Sequence, residues 1–290
     1  MQLIVFLLIY PLLWLISILP FRLFYLFSNF IYFIIYHIIG YRKKTVRENI
    51  ALALPHLSYE ERLVIEKNSF SHLCDMFLEM IKTMSISEKE MDERFQFKNL
   101  DVYLDLEKKG KSIALVCAHY ASYEWVVSMN KNCHHDGIAI YKKIANRHFD
   151  ELVKKIRSKF KARLITTKEV TTVMEENHKN NRLAVYGLAS DQSPKINANT
   201  YWRTFMGIEV PVHTGAEILA KKYDMNVIFL KVKKVKRGFY EAEFEVLSED
   251  VKSVPNYEIM DAFVERVEKQ ILEEPSYYMW THKRFKHRKL

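Results

Sequence analysis

The 290-residue chain is poor in glycine and proline, with seven of each, and holds only three cysteines. Without a Gly- or Pro-rich linker, a low-complexity segment or an internal repeat, nothing in it marks a cut into independently folding domains. Cys74, Cys117 and Cys133 have no metal-ligand spacing, and joining two would leave the third free, so a reducing compartment fits best. Catalytic signatures are scarce too. No G-x-S-x-G elbow is present, which weakens a serine hydrolase, and there is no Walker loop, G-x-G-x-x-G or H-E-x-x-H. The run NCHHDG sets Cys133, His134 and His135 side by side, but adjacent ligands in one loop without a second cluster read as a polar loop, so no metal is expected.

Charge is missing from the amino-terminal end. Between Met1 and Tyr41 the only formal charge is Arg22, flanked by the apolar runs Leu3 to Leu19 and Leu23 to Ile39. Each run is near the lower limit of about 17 to 25 residues for a spanning helix, and Pro11 and Pro20 are expected to interrupt the first. A helical hairpin, one tilted span or an interfacial segment all satisfy this pattern, and so does a buried apolar helix pair. A secretory signal does not, for want of a basic leading region and a small-residue cleavage site. Arg42, Lys43, Lys44 and Arg47 follow at once, which by the positive-inside tendency puts the remainder in the cytoplasm. We therefore take residues 1–40 as a membrane-anchoring segment and 41–290 as a cytoplasmic body. The formal charge of +9 favours anionic partners: lipid headgroups, an acidic carrier protein or nucleic acid.

The body alternates short apolar runs with amphipathic ones. Strands are expected at Ser112 to Cys117, Gly137 to Tyr141, Arg163 to Ile165, Leu183 to Leu188, Asn226 to Val232 and Tyr240 to Val246. Helices are expected at Ser58 to Met84, Ser122 to Met129, Arg147 to Phe160, Glu169 to Lys179, Thr214 to Tyr223 and Tyr257 to Leu272. In the first helix Ser58 and Glu61 have capping-box spacing, and Leu63, Phe70, Leu73, Phe77, Met80, Ile81 and Met84 recur as an apolar stripe. The alternation implies an α/β fold with a mostly parallel central sheet flanked by helices.

The stretch ALVCAHYASYEW then places His119 at the carboxyl end of a strand, where open α/β sheets bind ligands, with Glu124 five residues later. On a straight helix the two would point apart. With His119 in the preceding turn, Glu124 can hold one ring nitrogen and leave the other to act as a general base; the plainer alternative is a structural histidine. Since no internal nucleophile is apparent, such a base would activate a substrate hydroxyl against an already activated electrophile such as a thioester.

HYASYE resembles the His-x4-Asp/Glu signature of glycerolipid-type acyltransferases, and the surrounding blocks resemble the late lipid A acyltransferase family of bacterial inner membranes. The likeness runs through Arg42, Asn49 and Pro55, through Tyr141, Asn146 and Arg157, through Asp191, Gln192, Phe205, Gly207, Pro211, Thr214 and Ala220, and through Trp280, His282 and Arg284. It departs at Lys161, where the family often has glycine, and at KINANTYW, Lys195 to Trp202. The resemblance implies transfer of a fatty acyl chain from an acyl carrier protein or CoA thioester to a hydroxyl of a lipid A precursor, with His119 as base and Glu124 as its partner. The thioester is then a co-substrate and no separate cofactor is implied. Arg157, after Asn146, is a candidate for a phosphate of acceptor or donor, with a surface arginine as its alternative. Asp191 and Gln192 either line the cleft or form a structural turn, and Trp280, His282 and Arg284 read as packing at the membrane edge. Rival readings are an acyltransferase for another glycolipid or aminolipid and a non-catalytic basic membrane protein; no nucleic-acid motif accompanies the basic runs.

Overall fold

The computed structural model describes residues 2–289. Two apolar helices open the chain, α1 (Gln2–Ile18) and α2 (Phe21–Phe33), the latter continuing through a π-helical stretch at Ile34–Ile39 to a left-handed Gly40 cap. Pro11 does not break α1; the interruption falls at Pro20 alone. Phe21–Ile39 is long and apolar enough to cross a membrane, at 19 residues and mean hydropathy 1.4, and is a candidate anchor. Its outer face leaves Leu26, Phe30, Ile38 and Ile39 exposed, whereas Tyr25, Ser28 and Tyr36 turn inward onto the body.

The basic cluster starts a further helix, α3 (Lys43–Ala53), followed by α4 (Tyr59–Lys82), α5 (Glu88–Arg94), β1 (Phe95–Phe97) and α6 (Leu100–Glu107). The Ser58–Glu61 capping box starts α4 as expected. Its buried face is not the expected stripe: Glu66, Asp75, Glu79 and Lys82 are buried while Phe77 is 46% exposed. The cause is α2, whose hydroxyls meet those carboxylates.

The rest is an α/β alternation: β2 (Ile113–Cys117), a 3-10 segment at Tyr123–Asn132, β3 (Asp136–Tyr141), α7 (Arg147–Arg157), β4 (Arg163–Thr166), α8 (Val170–Lys179), β5 (Ala184–Ala189), the hairpin β6 (Trp202–Phe205) and β7 (Ile208–Pro211), α9 (Gly215–Tyr223), β8 (Asn226–Lys236), β9 (Phe239–Ser248) and α10 (Glu258–Glu273). Seven strands form one sheet in the order β1-β9-β8-β2-β5-β3-β4, parallel throughout except for the β8–β9 pair. β2 is central and wholly buried, as a strand covered on both faces must be. Lys161 adopts φ +68°, the left-handed turn for which glycine would be the easier residue. At the β8–β9 turn Gly238 is needed twice over: φ is +74°, and a Cβ would collide with the Tyr25 hydroxyl of α2.

Candidate active site

β2 and β5 run side by side in parallel register, Cys117 opposite Ala189. His119 and Asp191 each stand two residues beyond those partners, so the two side chains emerge at the same level on the carboxyl edge of the sheet. The Asp191 carboxylate oxygen Oδ1 accepts from the backbone N–H of His119 at 3.0 Å and lies 2.7 Å from its ring Nδ1. The turn after the strand is tight: Ala121 has φ +49°, its N–H donates to Tyr277 O, and Met279 N–H donates to His119 O. The terminal segment thus fastens the histidine loop from the other side. The ring of Tyr123 packs edge-on against the imidazole at 4.9 Å.

This arrangement settles which ring nitrogen is oriented. With Nδ1 held by a carboxylate, Nε2 has no hydrogen-bond partner among the described residues, and His119 lines a cleft. Burial works against a charged ring, but the charge of Asp191 and its hydrogen bond outweigh it, so the His119 pKa is raised. The reciprocal holds for Asp191: burial raises its pKa, and the charge and hydrogen bonds of His119 bring it below the usual carboxylate value. The pair is therefore an ionised carboxylate supporting a basic imidazole.

The expected partner Glu124 does not hold the ring. Its carboxylate is engaged side-on by Arg157 from α7, which donates Nε–H to Oε2 at 2.8 Å and Nη2–H to Oε1 at 2.6 Å. The fork geometry of guanidinium and carboxylate explains the preference. Glu124 is nevertheless close enough for its charge to add to the upward pull on His119. Arg157, pulled down by burial but more strongly up by Glu124, lines the cleft beside Glu124 and Lys142 rather than being a surface arginine.

That cleft has a volume of about 400 Å3 and mostly apolar walls. Leu115, Val126, Val127, Ala139 and Ile140 line it from the sheet and the 3-10 segment, and Phe77 and Met80 close one side from the α4 stripe that the core left free. A smaller cavity of about 40 Å3 shares Leu115, Val126, Val127, Ala139 and Gly187 and ends against Met129, Asn130 and Ile138. Cys117 also lines the cleft, yet burial, reinforced by Asp191, pushes its thiol up to about 12, far from a thiolate nucleophile.

The other expected residues lie elsewhere. Asn146 caps α7, its Oδ1 accepting from His148 and Phe149 N–H groups while Nδ2 donates to Gln2 O, so both ends of the amide are spent away from the cleft. Gln192 turns to the terminal segment, with Nε2 3.7 Å from the Met279 sulfur. That segment is closer to the site than packing at a membrane edge requires: His282 Nε2 accepts from Ser193 N–H, two residues past Asp191, and Arg284 is buried, donating to Pro211 O. Burial lowers the His282 pKa to about 4, so its ring is neutral. In the Cys133 loop, Glu107 collects the N–H groups of His134 and His135 and the His134 ring, and no group of three His, Cys, Asp or Glu side chains placed to hold a metal occurs among the described residues.

No curated protein matches the chain. A family model described as bacterial lipid A biosynthesis acyltransferase matches residues 1–287, and the chain belongs to that family.

Proposed function

We propose that this member of the lipid A biosynthesis acyltransferase family moves a fatty acyl chain from an acyl carrier protein or CoA thioester to a hydroxyl of a lipid A precursor. The observation that carries the reading is the Asp191–His119 pair, with Nε2 free, at the mouth of an apolar cleft. Nε2 takes the proton of the acceptor hydroxyl as its oxygen attacks the thioester carbonyl carbon. The tetrahedral oxyanion then collapses with cleavage of the C–S bond, and the departing thiolate recovers the proton from the imidazolium, which Asp191 stabilises meanwhile. The acyl chain occupies the apolar cleft, whose wall near His119 carries the Glu124–Arg157 ion pair. The thioester is consumed as co-substrate, so the scheme calls on no resident cofactor. The raised Cys117 thiol favours direct transfer over an acyl-enzyme.

The apolar outer face of Phe21–Ile39 and the basic start of α3 support attachment to the cytoplasmic face of the inner membrane, with residues 1–40 as anchor and 41–290 as the acyltransferase body. Mass spectrometry of a lipid A precursor incubated with the purified chain and an acyl thioester tests the reading. We expect one added acyl mass, released by mild base as an ester. A thioester that is only hydrolysed, or an adduct stable to base, would count against O-acyl transfer.

A further inference from the structure

A second concavity, of about 610 Å3, lies between α3 and the terminal segment and plays no part in the scheme above. Lys44 reaches it from one wall and Lys283, Lys286 and Arg288 from the other. The only acidic side chain lining it is Glu48, which pairs with Lys44 at 3.9 Å, and none of the three terminal cations meets a carboxylate among the described residues. Arg288 spends one guanidinium nitrogen on Phe285 O. Among the described residues, four cations therefore line a hollow that holds one carboxylate.

The hollow is built rather than incidental. Asn49, on α3, donates its amide to both Trp280 O at 2.8 Å and His282 O at 2.6 Å, and Arg42 donates to Thr281 O, so the two walls are clamped together. The same segment carries His282 to Ser193, beside Asp191, and Lys286 is near enough to depress the His213 and His282 rings by its charge. Only Gly40, Tyr41 and Arg42 separate the start of α3 from the exposed Ile38 and Ile39, which sets the hollow next to the membrane-seeking face. A cluster of exposed cations around a hollow next to the apolar face matches a phosphate on a sugar headgroup whose acyl chains remain in the bilayer.

We infer that this hollow binds a phosphate group of the glycolipid acceptor and so sets which hydroxyl is offered to His119; the inference rests on the acyl-transfer reading above. The test uses the full chain in neutral detergent micelles, with acyl-CoA and acyl carrier thioesters as donors. Its acceptors are a phosphorylated lipid A precursor and the same precursor after phosphatase treatment. The phosphorylated acceptor should have the lower KM by about tenfold or more, the scale of losing one or two charge-assisted contacts. In K283Q/K286Q/R288Q that difference should vanish while both donor KM values stay unchanged. The inference is overturned if the variant keeps the preference, or if only its KM for the carrier-linked donor rises, which would make the hollow a carrier site. It is equally overturned if the variant loses flotation with phosphatidylglycerol vesicles while its acceptor preference stays intact, which would make the hollow a site for bulk anionic lipid. Equal KM values for the two acceptors in an active wild type would sink this inference alone, whereas a wild type that acylates neither would sink the acyl-transfer reading with it.

Discussion

Two of the regions that bury carboxylates do it differently. Beneath α2, every oxygen of Asp75 and Glu79 is met: Asp75 by Ser28, by both Nε and Nη2 of Arg237 and by nearby Lys234, Glu79 by the hydroxyls of Tyr25 and Tyr240. At the sheet edge, Asp191 and Glu124 each serve one cationic or basic neighbour, and those neighbours, His119 and Arg157, look onto open space. Buried polar groups saturated from several elements fix a scaffold. The same groups left with an unused valence beside a cavity are poised for a substrate.

The comparison breaks most sharply at His119. His119→Ala should lower kcat per folded molecule by roughly 10² to 10⁴, as loss of a general base does, and it also strips the buried Asp191 of its ring partner, so activity is read against the folded fraction. Because Asp191 raises the ring pKa, activity should fall as pH drops through a value above the usual 6.5 of histidine. In Asp191→Asn that acid limb should move to lower pH and the plateau should drop. A pH profile identical to wild type would mean that the carboxylate does not act through the ring.

The scaffold region should respond in the opposite way. Asp75→Ala leaves Lys234, whose side chain is 9% exposed, and Arg237 without their carboxylate. Unpairing buried charge costs about 3–5 kcal/mol, so chemical denaturation should show a loss of that order. Turnover per folded molecule should stay near wild type. A collapse of kcat at normal stability would instead extend the functional site beneath α2.

Much of this was legible in the residues. Six strands of the central sheet announce themselves as short apolar runs, and strand–helix alternation implies the mostly parallel sheet in which they pair. Periodicity cannot rank strands within a parallel sheet, however. That β5 is the neighbour of β2, and so that Asp191 meets His119, is long-range information, whereas Glu124 five residues away looked like the obvious partner. The α4 stripe containing Phe77 and Met80 has the same limit: apolar spacing marks a face, not what covers it. Here the polar side of α2 covers the other face and leaves the stripe to the cleft. The short helices α5 and α6 and the β6–β7 hairpin carry too few periodic positions to stand out.

Glu79 gives the smallest expected effect and separates the regions by sign. Burial, and after it the negative charge of Asp75, pushes its carboxyl up to about 7, while Tyr25, Lys234 and Tyr240 pull it back. An acid whose pKa is higher folded than unfolded binds its proton more tightly in the native chain. It therefore destabilises the fold above about pH 7, and that penalty is relieved as pH falls toward the unfolded value near 4.5. The ceiling is about 3 kcal/mol, and retained hydroxyl bonds should keep the observed effect nearer 1. Other carboxylates titrate in the same range, so the informative quantity is the difference in unfolding free energy between wild type and Glu79→Gln. It should favour the variant at pH 8, close progressively below about pH 7 and reach its floor only below the unfolded value near 4.5. Curves that stay parallel across that window would show that Glu79 does not change its protonation there. If the difference closes as stated, acidification relieves the scaffold while it protonates His119 and stops turnover, so a single titration followed by unfolding and by activity would report the two buried clusters with opposite signs.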